Sequence, residues 1–254
     1  MKIMTKALIF DMDGTLTPSR HPVPDKVLNA LKKMRGKYKL YLVTGSDFEK
    51  VEEQFGWDNV ISIFDRVFCC NGTTAFQTSL DPDDEFGSLE PELIHKVSLL
   101  DHYSQADINH IISVLLKYAS KNHTKYKTGT FVEWRGSQIN FSLIGRNCSQ
   151  EQRDDYAKWD KKSGDRDKAI KFLEEEFKSY GLAFRKGGQI SIDISRKEWS
   201  KAYAFENIKE KPEDCVFFGD NIVPVGNDWE IAKICGKFHA VDGPDEFLKV
   251  LREY

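Results

Sequence analysis

Long hydrophobic runs are missing from this sequence of 254 residues. No apolar stretch approaches the roughly 20 residues of a membrane-spanning helix, so no span is expected. The first apolar run stops at Asp11, too early for a secretory signal, and none is expected. An excess of one charge is missing as well: 37 Lys and Arg stand against 40 Asp and Glu, a net charge of −3. That balance is no footprint for nucleic acid or an anionic membrane surface. Cysteine is sparse. Cys69, Cys70, Cys148, Cys215 and Cys235 are odd in number and show no C-x-x-C spacing, which speaks against a disulfide framework or a zinc site. A reduced, cytoplasmic protein is expected. The six histidines show no ligand spacing, and there is no internal repeat or low-complexity segment.

The chemistry present starts at Phe10-Asp11-Met12-Asp13-Gly14-Thr15-Leu16-Thr17. The apolar run Ala7-Leu8-Ile9-Phe10 before it reads as a buried strand of a parallel sheet. Its carboxylates then fall at the strand's carboxyl end, where open α/β sheets bind ligands. Residues two apart on extended chain share a face, so Asp11 and Asp13 can converge. Paired carboxylates repel unless a cation lies between them, and Mg²⁺ is often held by one or two carboxylates plus substrate phosphates. One of the pair suits a nucleophile and the other a proton donor and acceptor. The bland alternative is a solvated surface turn.

The rest of the chain supplies a frame for that motif. Asp25 to Met34 and Phe48 to Phe55 carry helical periodicity, with Asp47 as N-cap of the second. Tyr38 to Val43 is a strand ending in Thr44-Gly45-Ser46, where either hydroxyl could hold a phosphate oxygen or merely cap the helix. Arg66 to Cys70 is a third strand. This order predicts a doubly wound parallel sheet. A linker is expected near Leu80 to Asp84. Beyond it lie a helix over Gln105 to Ser120 and strands Phe131 to Arg135 and Gln138 to Ser142 around Gly136-Ser137. A long charged helix follows over Gln150 to Tyr180, with Gly164 as a candidate break, then strands Ala183 to Arg185 and Gln189 to Asp193 around Gly187-Gly188. These read as an α+β domain inserted in the first: residues 1–84 and 195–254 form an α/β core and 85–194 a cap with an antiparallel sheet. A helix starting at Lys201, the strand Cys215 to Phe218 ending in Gly219-Asp220, a helix over Asp228 to Ile234, a strand at His239 to Val241 and a helix over Phe247 to Leu251 close the core.

Asp11-x-Asp13-Gly14-Thr15, Thr44-Gly45-Ser46, Lys201 and Gly219-Asp220 resemble the four motifs of the haloacid dehalogenase (HAD) superfamily of phosphoryl-transfer enzymes. From end to end the chain is similar to the eukaryotic-type phosphomannomutases. Gly129-Thr130-Phe131-Val132-Glu133-Trp134-Arg135, Ile144-Gly145-Arg146-Asn147-Cys148-Ser149-Gln150-Glu151, Gly187 to Asp193 and Gly226-Asn227-Asp228 carry that narrower likeness. The resemblance implies a Rossmann-like core with an inserted cap. It implies Asp11 as nucleophile, Asp13 as general acid and base, and Lys201, Thr44 and Ser46 at the phosphoryl group. Mg²⁺ would be held by Asp11, Asp13 through its carbonyl, and Asp220, with Asn227 and Asp228 behind them. Arg20, Arg135, Arg146, Arg153, Ser191 and Asp193 would bind the sugar phosphate. It further implies a hexose 1,6-bisphosphate activator, hexose phosphates as the small-molecule partners, a homodimer through the cap, and a product feeding GDP-mannose synthesis. The alternative is a Mg²⁺-dependent sugar-phosphate phosphatase using the same aspartates.

Three departures from the family pattern bear on that choice. Val225 stands where a glycine is common, Thr44 replaces a usual glycine, and the loop around Lys233 to Lys237 is short, so no second cation is expected. Each of these could loosen control of water and raise phosphatase activity.

Overall fold

Residues 5–18, 21–78, 90–224 and 226–254 are described by the computed structural model. In chain order the strands are β1 (Ala7–Phe10), β2 (Lys39–Val43), β3 (Arg66–Cys69), β4 (Thr74–Gln77), β5 (Glu92–Lys96), β6 (Val132–Trp134), β7 (Ile139–Ser142), β8 (Leu182–Gly187), β9 (Ser191–Arg196), β10 (Cys215–Gly219) and β11 (Lys237–Ala240). The helices are α1 (Asp25–Met34), α2 (Phe48–Phe55), α3 (Trp57–Ile63), α4 (Gln105–Lys121), α5 (Gln150–Ser163), α6 (Asp165–Glu176), α7 (Trp229–Ile234) and α8 (Pro244–Val250). Met1–Lys96 with Trp199–Tyr254 forms one compact unit, and Val97–Glu198 forms another.

In the first unit the described strands join in the order β11-β10-β1-β2-β3-β4-β5. The pairs among β11, β10, β1, β2 and β3 are parallel. In β1, β2 and β10 the residues are apolar at consecutive positions because both faces are covered. Leu8, Phe10, Leu40, Leu42, Val216 and Phe218 pack on one face with Val27, Leu31, Val51 and Phe247. Ala7, Ile9, Tyr41, Val43 and Phe217 pack on the other with Ala204 and Ile231. The chain moves outward from β1 to β2 and later returns to β10 on the opposite side. The switch point therefore lies between β1 and β10, the place where such sheets bind ligands. Phe10 and Phe218 are register partners, so the residues that follow them, in the Asp11 and Asp220 segments, emerge side by side.

Two strands extend this sheet beyond the expected parallel set. β4 runs antiparallel to β3, and β5 antiparallel to β4. Because β5 hydrogen-bonds into the core sheet, the second unit opens at Val97 rather than at residue 85, and it closes at Glu198 rather than 194. The expected linker at Leu80 to Asp84 lies outside the described residues.

In the second unit the strands join in the order β6-β7-β9-β8, every pair antiparallel. The Gly136-Ser137 turn makes the β6–β7 hairpin, closed by the Arg135 N–H donating to the Gln138 carbonyl at 2.9 Å. Ser104 and Ser149 cap α4 and α5 with reciprocal capping boxes. Gly164, at φ +63°, ends α5 in the left-handed conformation and lets α6 start at once. The expected long helix is thus two.

Candidate active site

β1 delivers Asp11 into a turn that is tight for reasons legible in its backbone. The N–H groups of Thr15, Leu16 and Thr17 all donate to the Met12 carbonyl, and Gly14 N–H donates to Thr17 O at 2.8 Å. Gly14 has φ +88°, and a Cβ there would overlap the Asp220 carboxylate. Only glycine serves at a left-handed position that another side chain already fills.

Asp11 is 4% exposed and Lys201 1%. The Lys201 ammonium, at the start of a 3₁₀ turn over Lys201–Glu206, is ion-paired to Asp11 Oδ1 and lies 2.6 Å from Asp228 Oδ1. Thr15 Oγ1 donates to Asp11 Oδ2 at 3.1 Å. Asp228 Oδ2 accepts the Asn221 N–H at 3.1 Å, so Asp228 ties the Asp220 loop to Lys201. Oxygens of Asp11, Asp220 and Asp228 lie within 4.8 Å of one another. Asp228 thereby lies beside the other two carboxylates with both its oxygens engaged, one by Lys201 and one by the Asn221 N–H. Asn227 contacts the same loop through Asn221 Nδ2 at 2.9 Å.

The electrostatics of this cluster are unbalanced. Three carboxylates face one ammonium, an excess of two negative charges in a mostly buried setting. Burial, helped by Asp228 and Asp220 and opposed by Lys201, pushes Asp11 up to about 7. Burial and Asp228 push Asp220 up to about 6. Burial pulls Lys201 down, but Asp11 and Asp228 outweigh it and leave its pKa above the ordinary lysine range. A divalent cation would supply the missing charge, and an all-oxygen donor set suits Mg²⁺. The residues present fit that ion.

Asp13, half-buried beyond the turn, receives a hydrogen bond from Gln54 Nε2 at 3.1 Å. The Thr44 hydroxyl is turned inward and accepts the Ser46 N–H at 3.1 Å. Asp47 caps α2 as expected, through the Lys50 N–H at 3.0 Å. Arg20 lies outside the described residues, as does Val225.

The second unit holds a separate polar surface. Glu133, Asn140, Asp193 and Arg185 are successive register partners, a rung crossing all four strands of the sheet. Ser191 and Ser142 form the neighbouring pair. Arg135 Nε donates to Glu133 Oε2 at 2.8 Å, and Arg146 Nε lies 3.2 Å from the same oxygen. Arg146 Nη1 donates to Asn140 Oδ1 at 2.6 Å, and Asn140 Nδ2 to Asp193 Oδ1 at 2.6 Å. Burial pushes Asp193 above its ordinary range, against the pull of Asn140 and of Arg135, Arg146 and Arg185. Arg153 is buried against the loop that carries Arg146. Its Nη2 donates to the Arg146 carbonyl at 2.8 Å and braces that loop. Its buried Nη1 has no partner among the described residues.

Arg135, Arg146, Arg153, Ser191 and Asp193 are therefore gathered in the second unit, and Asp11, Asp220, Asp228 and Lys201 in the first. Sequence reasoning missed Glu133, Asn140, Arg185 and Gln54. The signal for Asn140 is period-two alternation: Gln138, Asn140 and Ser142, then Ser191, Asp193 and Ser195 on the paired strand, are polar between Ile139, Phe141, Ile192 and Ile194. Nothing in the local sequence marks Gln54.

Comparison with known proteins bears on what this arrangement does. The sequence profile of a family described as eukaryotic phosphomannomutase matches residues 27–254. The chain is similar to a phosphomannomutase of Saccharomyces cerevisiae, 37% identical over 250 residues, covering 97% of this chain and 92% of that one. It is also similar to phosphomannomutase 1 of Homo sapiens, 34% identical and covering 96% and 90%. Among solved structures it resembles a haloacid dehalogenase-like hydrolase from Bacteroides thetaiotaomicron. That likeness has TM-score 0.63 and 11% identity, and it covers 98% of this chain and 99% of that one. An IMP-nucleotidase of Plasmodium falciparum matches with TM-score 0.64 and 16% identity over all of this chain and 69% of that one. At such identities the structural likenesses speak to fold alone.

Proposed function

Because this chain belongs to the eukaryotic phosphomannomutase family, we propose that it interconverts mannose 6-phosphate and mannose 1-phosphate through a hexose 1,6-bisphosphate. The observation that carries the reading is the division of labour between two clusters. A buried aspartate with an ammonium against it suits nucleophilic attack on phosphorus. A polar sheet face bearing Arg135 and Arg146 suits a phosphate that is held and not attacked.

In this reading an oxygen of Asp11 forms a bond to the phosphorus of the activating bisphosphate, and the bridging P–O bond breaks. Asp13 gives its proton to the departing sugar oxygen, then takes a proton from the hydroxyl of the acceptor sugar in the return step. Lys201 stabilises the Asp11 carboxylate before attack and the added negative charge during it. Ser46, with Thr44 behind it, offers a hydroxyl to a phosphoryl oxygen. Mg²⁺, held by Asp11, Asp220 and the Asp13 carbonyl with Asp228 and Asn227 behind, would neutralise the oxygens of the transferring group. Arg135, Arg146 and Arg153, with Arg20, bind the other phosphate, while Ser191 and Asp193 accept sugar hydroxyls. Binding energy at the idle phosphate then orients the reacting one. We further propose a homodimer formed through the second unit, a cytoplasmic location, and a product that feeds GDP-mannose synthesis.

The test supplies mannose 1-phosphate, Mg²⁺ and a trace of glucose 1,6-bisphosphate, and follows mannose 6-phosphate and free phosphate together. Mannose 6-phosphate in excess over free phosphate is expected. Free phosphate alone would replace this reading with a hydrolase, and silence in both channels would remove catalysis altogether.

A further inference from the structure

We propose that Gln54 is the positioning residue of the proton-transfer step, a role that rests on the reading of Asp13 as general acid and base. Gln54 sits in the last turn of α2 and is 3% exposed. Its helix is anchored by Val51 and Phe55, both buried in the apolar core beneath the sheet. A glutamine at such a place is costly unless its polar atoms are satisfied. They are satisfied on one side only. Nε2 donates to Asp13 Oδ1 at 3.1 Å and to the His21 carbonyl at 3.0 Å, with Thr17 Oγ1 at 3.5 Å. Oε1 is buried without a partner among the described residues. Stability alone would favour leucine or methionine here. The amide is held for what its two N–H groups reach.

What they reach is the far side of the catalytic turn. The Gln54 carbonyl also accepts the Val23 N–H at 2.9 Å, so side chain and main chain of one residue clamp the segment that follows the turn. Asp13 is thereby fixed from outside its own loop, against a rigid helix. The choice of an uncharged donor has a chemical reason. An ammonium in the same place would hold Asp13 ionised and oppose its acting as an acid, and a carboxylate would repel it. A carboxamide N–H can bond Oδ1 of a carboxyl group whether that group is giving or receiving a proton. The step balances. Asp11 oxygen bonds to phosphorus, the bridging P–O bond breaks with its electron pair on the leaving oxygen, and the Asp13 proton joins that oxygen.

The leaving group provides the test. A sugar oxygen is strongly basic and needs the proton, whereas a nitrophenolate leaves without it. Gln54→Met keeps the length of the side chain and removes the N–H groups. It is expected to slow the single-turnover phosphorylation of the enzyme by mannose 1,6-bisphosphate by about ten-fold or more, with little change in the bisphosphate concentration that half-saturates it. The single-turnover burst of nitrophenolate from 4-nitrophenyl phosphate should slow by less than about three-fold, since that leaving group draws little on general acid catalysis. Asp13→Ala, measured in parallel, should show the same selectivity more strongly. A flat loss on both substrates for Gln54→Met beside a selective loss for Asp13→Ala overturns the role of Gln54 and leaves Asp13 in place. A flat response of Asp13→Ala overturns the reading of Asp13 itself. If Gln54→Met does not fold, Gln54→Leu carries the same comparison.

Discussion

Lys201→Met is the substitution whose consequence follows most closely from the geometry. The Lys201 side chain is fully buried, as is that of Asp228, and Asp11 is nearly so. Methionine matches the length and volume of lysine but brings no charge, so packing is kept while two carboxylates lose their shared partner. Leaving a buried ion pair half-filled costs about 3–5 kcal/mol. For a chain of this size each kcal/mol shifts Tm by roughly 2–4 °C, which places the expected fall at about 6–20 °C. The assay is a thermal melt in chelator at several pH values. The sign follows from proton binding. Without the ammonium that opposes its protonation, the buried Asp11 holds a proton in the fold that it releases on unfolding, so the folded state binds more protons and the deficit grows as pH rises from 5 to 8. Asp228→Asn in the Lys201→Met background removes one of the stranded charges and should recover part of the loss. A melt within about 2 °C of the parent at pH 8, where roughly 6 °C is the least expected, would refute the reasoning. So would a deficit that does not shrink in acid.

Three other outcomes are expected. In the parent protein treated with chelator, Asp11 near 7 and Asp220 near 6 lie above the ordinary carboxylate value of 3.8, so stability should fall as pH rises through those values. The raised Lys201 stays charged across that range and adds no slope, and Mg²⁺ should flatten the curve; melts with and without the ion check this. Gly14→Ala places a side chain at φ +88° against Asp220, so it should cost about 1 kcal/mol or more and weaken Mg²⁺ binding, read by calorimetric titration. Arg146→Ala should lower kcat/KM for hexose phosphates by roughly ten- to a hundred-fold, the worth of a charge-assisted hydrogen bond of about 1.5–3 kcal/mol. It should spare a small aryl phosphate that has no second phosphate, and equal losses on both would remove Arg146 from the grip.

Much of the core was readable because its signals are local. The bounds of α1 and α2 follow from apolar spacing and from Asp47 as a cap. β1, β2 and β10 follow from short apolar runs that end in acidic or hydroxyl residues. The antiparallel additions β4 and β5 were not readable. Thr74–Gln77 has one buried apolar residue, and Glu92–Lys96 lies at the sheet edge with no buried position, so neither carries a run that marks a strand. α3 was hidden because it starts directly after Gly56, a residue that reads as a stop. In the candidate site the carboxylates announced themselves by their places after strands. Lys201 and Gln54 did not, because what matters about them is contact across 190 and 41 residues of sequence. Arg153 came from the family resemblance and not from its residue type, and its hydrogen bond to the Arg146 carbonyl, which the local sequence does not mark, ties it to the same loop.

The proposal as a whole turns on a covalent bond at one side chain. The protein, mixed briefly with hexose 1,6-bisphosphate and Mg²⁺ and quenched, can be reduced with borohydride, which converts an aspartyl phosphate to homoserine, and then digested. A peptide with homoserine in place of Asp11 is expected, absent when Asp11→Asn is treated alike. Homoserine at Asp13, Asp220 or Asp228 instead, or turnover of the bisphosphate with no aspartate converted, would contradict the account.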